Sequence, residues 1–409
     1  MACSAGCNSH MTRIQTLTGK QIVICVTGSI AAVEAVKLIH ALRRHGAEVQ
    51  PVMSHAASGI LHPDSLTYAS GRGTITRLSG QVEHITYCGD EGSADLLLIA
   101  PCTANTISKM ACGIDDTPVT TFATTAIGSR KPVILVPAMH HSMYRHPAVI
   151  ENLVKLKNWG VEIVDPRLDE GKAKIADSEE IVLHCERAVM GKPLSGRKVL
   201  ITSGACQEPV DDIRILTTRS SGQMGRALAL QAFRLGADVA VVHRDIFPCV
   251  NNVFAETADD MRRAVHRCFS ENGADIYISA AAISDFAPEK VKGKIPSGSP
   301  VHLVLEPLPK LLAEVMEEYH PLTIAFKLGD LSGKMAKTMI AQGAAMVLTN
   351  EPQTMGTTMG EYLLVTRDGK YPVTGLKDEI AATIWNHVLR HGPSPEGASL
   401  SQYDKCLRP

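Results

Sequence analysis

"GKQIVICVTGSIAAVEAVKLIHALRRHGAEVQPVMS", residues 19–54, decides the fold. A short β-branched run, Ile22–Val26, turns through Gly28 into a helical apolar pattern. That pattern closes on Arg44 and Gly46 before a new apolar run begins. Strand, glycine turn, helix and strand in this order form a right-handed βαβ unit that opens a parallel sheet. The same phrase returns at 196–243, "GRKVLITSGACQEPVDDIRILTTRSSGQMGRALALQAFRLGADVAVVH". There Val199–Thr202, Gly204, Arg234 and Gly236 take the corresponding places.

Further apolar runs extend both halves. In the first they are Leu96–Ala100, Val133–Val136 and Val161–Val164; in the second, Ile276–Ala280, Thr323–Phe326, Met346–Thr349 and Tyr362–Thr366. Helical patterns alternate with most of them. The seam is "GKPLSGRK", 191–198, rich in Gly, Pro and Ser. The fold read from this is α/β: two tandem doubly wound parallel-sheet domains, 1–190 and 191–409, with sites at the carboxyl ends of the strands.

A chain of 409 residues is too long for one core. Its hydrophobic content of 45% and charged content of 20% are ordinary for a globular enzyme. With 41 basic against 42 acidic residues, no global field exists to hold nucleic acid or a membrane surface, so neither is an expected partner. The eleven cysteines form no Cys-x-x-Cys pair and read as reduced thiols of a cytoplasmic protein. No apolar run approaches the roughly 20 residues of a membrane helix. The first 15 residues, "MACSAGCNSHMTRIQ", lack the apolar core of a signal peptide and read as a disordered arm.

Each motif carries two readings. "TGSIAA", 27–32, is either a tight turn or a place where Gly28 admits a ligand, Ser29 donates a hydroxyl and a helix start takes a phosphate. Thr103, Asn105 and Thr106 follow the run Leu96–Ala100; they either cap the next helix or bond the polar edge of a ring system. His84 sits in a loop, solvated or catalytic. "VILVPAMHHSMYRHPAV", 133–149, ends an apolar run in His140 and His141. In the second half "SSGQMG", 220–225, is either a serine cap with glycine turns or a phosphate cradle. "ISAAAISDFAPEKVKGKIPSG", 278–298, lets a ligand lie flat along its alanines. It then offers Asp285 to a base edge or a metal, before Lys290, Lys292 and Lys294.

In combination these motifs resemble a known pair of families. GSIAA, Ser54, the loop His84 before "ADLLLIAPCTANTISKMACGIDD", and then "PAMHHSMY" resemble the flavin-dependent cysteine decarboxylases, whose fold is flavodoxin-like. "ITSGACQEPVDDIR", "SSGQMG" and "AAAISDFAPEKVKGKI" resemble the Rossmann-like phosphopantothenate–cysteine ligases. Their fusion is similar to the two-domain enzymes of coenzyme A biosynthesis, over roughly residues 18–390. The resemblance implies FMN near Gly28, Ser29, Ser54, Thr103 and Asn105, with His84 catalytic. The implied chemistry is flavin oxidation of a cysteine thiol, loss of CO2 from the resulting thioaldehyde, and return of the electrons. For the second half it implies CTP as co-substrate and Mg2+. An acyl-cytidylate of 4'-phosphopantothenate forms there, from which cysteine displaces CMP. Lys294 is implied as catalytic and Asp285 as a cytidine or metal contact. Thr218, Ser220, Ser221, Gly222, Phe326, Lys327 and Asn350 are implied to contact nucleotide or substrate.

The sequence departs from the families at named positions. His140 stands where the decarboxylases place an asparagine that binds the substrate carboxylate; an imidazole can still donate to a carboxylate, so His140 is expected to face the substrate and His141 the solvent. The stretch "RLDEGKAKIADSEEI", 167–181, lacks the flap cysteine of bacterial members, leaving Lys172 or Lys174 to supply a proton. Thr218 replaces the ligases' asparagine, Gln223 a lysine, and Pro296 the third residue of their lysine motif. These departures also fit a non-catalytic partner protein on a decarboxylase scaffold. A flavin prenyltransferase is a further alternative, one that leaves the second half unexplained. The resemblance implies a homo-oligomer, trimer-based through the decarboxylase half and paired as dimers through the ligase half.

Overall fold

A computed structural model describes residues 15–169, 172–330 and 332–391. All but the last residue of the expected N-terminal arm lies outside the described residues. The chain divides into two compact units, Met1–Gly191 and Lys192–Pro409.

The first unit is built on five parallel strands: β1 (Gln21–Val26), β2 (Glu48–Met53), β3 (Leu96–Cys102), β4 (Val133–Pro137) and β5 (Glu162–Ile163), in the order β2-β1-β3-β4-β5. Every residue of β3 and β4 is buried, because helices cover both faces of the sheet. Alternation along β1 sends Ile22, Ile24 and Val26 to one face, against Leu38, Ile39 and Leu42 of helix Ala35–Arg44. Val23 and Cys25 go to the other, with Ile107, Phe122 and Leu156. Full burial of one such aliphatic side chain is worth roughly 1.5–3 kcal/mol, so both faces hold the sheet. Beyond β4 a small antiparallel sheet of Met139–His140, Lys172–Lys174 and Arg167–Asp169 stands over the strand ends.

The second unit has eight strands: β6 (Lys198–Thr202), β7 (Asp238–His243), β8 (Asn251–Phe254), β9 (Ile276–Ser279), β10 (Leu322–Leu328), β11 (Met346–Asn350), β12 (Met359–Val365) and β13 (Lys370–Leu376). Their order is β8-β7-β6-β9-β10-β11-β12-β13, and the chain reverses direction of growth between β6 and β9. A ligand crevice is expected at that switch point. The run at 362–366 belongs to β12, which is antiparallel to β11, as β13 is to β12. The parallel sheet therefore ends in a hairpin. Thr366 N–H donates to Gly369 O at 2.9 Å across a turn too short for a crossover. Helix Lys377–His391 follows directly and packs on helix Gln223–Arg234, where the fully buried Trp385 donates its indole N–H to Leu228 O at 2.9 Å.

Candidate functional site

Each unit carries a cleft at the carboxyl edge of its sheet. That of the first unit has a volume of about 700 Å3. Its lining includes Gly28 and Ser29 after β1, Thr103 and Ala104 after β3, and Ala138 to His140 with Met143 after β4. The 172–178 stretch with Arg167 completes it. Capping explains the polar side chains at the rim. Ser29 accepts from Ala31 N–H at 3.4 Å, Ser54 from Ala57 N–H at 3.3 Å, and Thr103 from Thr106 N–H at 3.3 Å. The buried Thr27 hydroxyl links the two loops, donating to Pro101 O at 2.7 Å and accepting from Thr103 N–H at 3.1 Å. Gly28 is required by the protein's own packing: a Cβ there would lie 2.6 Å from Ala56 Cβ and 3.1 Å from its carbonyl carbon.

The expected residues divide. Gly28, Ser29, Thr103 and His140 share the cleft. Ser54 does not line it; its hydroxyl is buried in the cap of Ala57. Asn105 is exposed on the first turn of helix Ala104–Cys112, one residue past the position that points inward. His84 lies on helix Glu83–Cys88, away from this cleft, half-buried, and its Nδ1 is buried without a hydrogen-bond partner among the described residues. His140 is exposed and pairs directly across the small sheet with Lys172, another lining residue, whereas His141 is half-buried outside the cleft. Arg167 is tied to Asp177 at 2.8 Å and Lys174 to Asp169 at 2.6 Å. The buried thiols of Cys25 and Cys102, at the strand ends, are pushed well above the ordinary thiol range by burial, so neither replaces the absent flap cysteine as a thiolate.

The second cleft is narrower, about 140 Å3. It is lined by Ser220 to Gly225, by Ala280 to Ala282 after β9, by Phe326 and Leu328 of β10, by Asn350 at the end of β11, and by Thr354 to Gly356, Tyr362 and Lys377. Helix Gln223–Arg234 begins here at Gly222 without a side-chain cap. Its start reaches the end of β6 because residue 225 is glycine: a Cβ would lie 2.2 Å from Ser203 Oγ, which itself donates to Gly222 O at 3.1 Å. Phe326 and Tyr362 meet edge to face at 6.1 Å between centroids. Asn350 donates to the Thr354 hydroxyl.

Ser220, Ser221, Gly222, Phe326 and Asn350 are thus brought together. Lys327 is not among them, since adjacent residues of a strand face opposite sides and Phe326 takes the cleft side. Thr218 lies outside the lining, with its hydroxyl buried and unpartnered among the described residues. Asp285 is exposed, lies outside the lining, and is ion-paired with Lys310. Lys294 is exposed on a loop that the hairpin 207–217 holds in place. Asp211 accepts from Ile295 N–H at 3.0 Å and from Arg214, and Asp212 accepts from Gly293 N–H at 2.8 Å. Burial pushes the Asp211 carboxyl up, but the N–H groups of Ile295, Ile213 and Arg214 and the Arg214 guanidinium outweigh it and hold it well below the usual carboxylate range. Sequence reasoning missed Tyr362 and Lys377 altogether.

Comparison with known proteins agrees with the division into units. A family model described as "Flavoprotein" matches residues 10–190, and one described as "DNA/pantothenate metabolism flavoprotein C-terminal domain" matches 194–391. The chain is 42% identical over 393 residues to the coenzyme A biosynthesis bifunctional protein CoaBC of Thermococcus kodakarensis, covering 93% of this chain and 97% of that one. It is 33% identical to the protein of the same name from Methanocaldococcus jannaschii, covering 93% and 96%. A solved structure of the C-terminal domain of a CoaBC protein is 27% identical, with a TM-score of 0.40, and covers 48% of this chain and 96% of that one.

Proposed function

The chain belongs to the family of coenzyme A biosynthesis bifunctional proteins, and from that membership we propose what each of its clefts does. The protein is a bifunctional enzyme of coenzyme A biosynthesis, a phosphopantothenate–cysteine ligase and a phosphopantothenoylcysteine decarboxylase. The second unit joins cysteine to 4'-phosphopantothenate at the expense of CTP, through an acyl-cytidylate. The first unit removes CO2 from the product to give 4'-phosphopantetheine. The observation that carries this reading is the tandem order: a flavoprotein-type sheet with a wide cleft, then a second sheet whose cleft opens at its switch point.

The wide cleft fits FMN by its size and by the Ser29 and Thr103 loops at its rim. When bound, FMN supplies the two-electron exchange. Gly28, Ser29 and Thr103 hold its polar edges; Ser54 fixes the loop beside them. His140 donates to the substrate carboxylate, with Lys172 opposite it across the small sheet. His84 moves the proton. Its place outside the single-chain cleft supports a site completed between copies, with His84 of one copy serving the cleft of another.

In the second unit Ser220, Ser221 and the helix start receive phosphate, the alanine run and Phe326 cover the base, and Asn350 bonds its edge. Thr218 and Lys294 approach the acyl group, the loop of Lys294 being held by Asp211 and Asp212. Mg2+ would enter with the nucleotide phosphates, with Asp285, exposed and paired with Lys310, as the carboxylate that would contact it. The exposed Phe286, Val301, Leu303 and Val304 support pairing of this unit with a second copy. We place the enzyme in the cytoplasm; the thiols of Cys25, Cys88, Cys102, Cys112, Cys185, Cys206 and Cys268 are free, which supports this. Among those residues no helix is long and apolar enough to cross a membrane.

The test is a spectrum and a turnover assay. Purified protein, supplied with FMN, should show flavin absorbance. With CTP, 4'-phosphopantothenate and cysteine it should release CMP, pyrophosphate and CO2 in equal amounts, with 4'-phosphopantetheine seen by mass. A preparation that binds no flavin and releases no CMP would remove the proposal.

A further inference from the structure

Lys377 is the first residue of helix Lys377–His391, and it is only 7% exposed. Lysine is almost never buried to this degree without a partner, because an unpaired ammonium loses its hydration with nothing in return. Among the described residues Lys377 has neither a hydrogen bond from its ammonium nor an ion pair. It lines the second cleft, where among the described residues it is the one cation and no carboxylate joins it. The acidic residues of its own first turn do not serve it there: Asp378 and Glu379 lie outside the lining, and Glu379 accepts from Leu376 N–H at 2.9 Å. The helix start is itself the positive end of a dipole, which adds a like charge beside the ammonium.

A second positive element lies in the same lining. Helix Gln223–Arg234 starts at Gly222 with no side chain capping it, and the Ser220 and Ser221 hydroxyls precede it. Two helix starts, a buried ammonium and two hydroxyls meet in a narrow space to which the described residues supply no negative charge. Such a site is built to receive an anion with several oxygens. Burial pushes the Lys377 ammonium below the usual lysine range, and an anion in the cleft would restore it.

We propose that Lys377 is the cation of a phosphoryl-group subsite in the second cleft, shared with the uncapped helix start at 222–225. The proposal rests on the nucleotide reading of this cleft only for the source of the phosphoryl group, which is either the CTP triphosphate or the phosphate monoester of 4'-phosphopantothenate.

The experiment uses the full chain, unaltered and as Lys377→Met and Lys377→Arg. Binding of CTP, inorganic pyrophosphate and 4'-phosphopantothenate is measured by titration calorimetry. Lys377→Met should weaken a phosphate-bearing probe by about 10- to 100-fold, as the loss of one charge-assisted contact does, and Lys377→Arg should recover most of that. A loss confined to CTP and pyrophosphate assigns the nucleotide as source; a loss confined to 4'-phosphopantothenate assigns the acid substrate. The ligand-free Lys377→Met protein should melt no lower than the unaltered one, because an unpaired buried charge has been removed. In the unaltered protein, mass-mapped lysine acetylation should show Lys377 protected by the probe that binds there; this readout stands even where a variant fails to fold.

If the unaltered protein binds CTP and 4'-phosphopantothenate and Lys377→Met binds both within twofold as tightly, the subsite is wrong and the ligase reading stands. If pyrophosphate alone binds, and does so through Lys377, the ligase reading is wrong and the subsite stands. Binding of none of the three, absence of protection at Lys377, or a lower melting point with unchanged affinities each overturns the subsite.

Discussion

The two clefts differ in how complete each is within one chain. The first is wide, about 700 Å3, and its expected proton-transfer residue, His84, lies elsewhere on the surface of the unit. The second is about 140 Å3, shaped by several separate segments, and already contains a buried cation. Each stands at the carboxyl edge of its own sheet, so the sheet explains only its location. What separates them is the covering. A small antiparallel sheet stands over the first cleft, whereas the second takes its lining at Tyr362 and Lys377 from a hairpin and a helix start.

That contrast can be broken most sharply at His84. His84→Asn should lower CO2 release by about 100-fold or more, in the range of a lost acid–base group, and leave CMP release unchanged. Equal losses in both assays would mean that the clefts do not work separately.

The next largest effects come from the two glycines that let each cleft form. Gly28→Ala would drive a methyl into Ala56, and Gly225→Ala would drive one into Ser203. Each should cost about 1–3 kcal/mol by overpacking. The first should abolish flavin absorbance while sparing CTP binding, and the second should do the reverse. Ser203→Gly added to Gly225→Ala should recover most of the melting temperature. Failure of that rescue would show that the contact is not the cause.

Asp211 gives a smaller, pH-dependent effect. A carboxylate held low in the folded state stabilises it fully above the unfolded value, about 4, and that contribution fades as the pH falls through the folded value. The melting temperature of the second unit should therefore fall more steeply on acidification in the unaltered protein than in Asp211→Asn. At neutral pH the variant should melt lower and ligate more slowly, since the loop of Lys294 loses its tether. Parallel acid slopes would contradict this.

The smallest change is expected from His140→Asn. Asparagine retains a donor opposite Lys172, so KM for phosphopantothenoylcysteine should move by less than about tenfold, with flavin absorbance unaltered. A collapse of kcat would instead place His140 in proton transfer.

Most of the fold was legible because buried parallel strands are written as unbroken apolar runs, and β1, β3, β4, β9, β10 and β11 all fall on such runs. β13 has no such run; none of its residues is buried, and only Asp368-Gly369 marks the hairpin. The site was legible where glycine and serine announce a helix start, as at 220–225. It was partly misread where orientation decides. The pairing of Phe326 with Lys327 could have been resolved from the strand period alone, since neighbours cannot share a face. The engagement of Asp285 by Lys310 could not, because it joins residues 25 apart through a tertiary contact. Nor could Lys377, which in sequence is one lysine at the head of an amphipathic helix and acquires meaning only from what closes around it.

The terminal hairpin works as a measuring rod for that lysine. β12 runs away from the carboxyl edge and β13 runs back to it, with Met359 opposite Leu376 and Val365 opposite Lys370. Its far tip, 366–369, sits at the opposite edge, so residues added there would lengthen a loop and leave the cleft as it is. A single residue removed between 370 and 376 would instead slip the ladder by one and swing position 377 to the other side of the sheet. Length is free at one end of this element and fixed at the other, and descendants of this gene should vary in size at the tip alone.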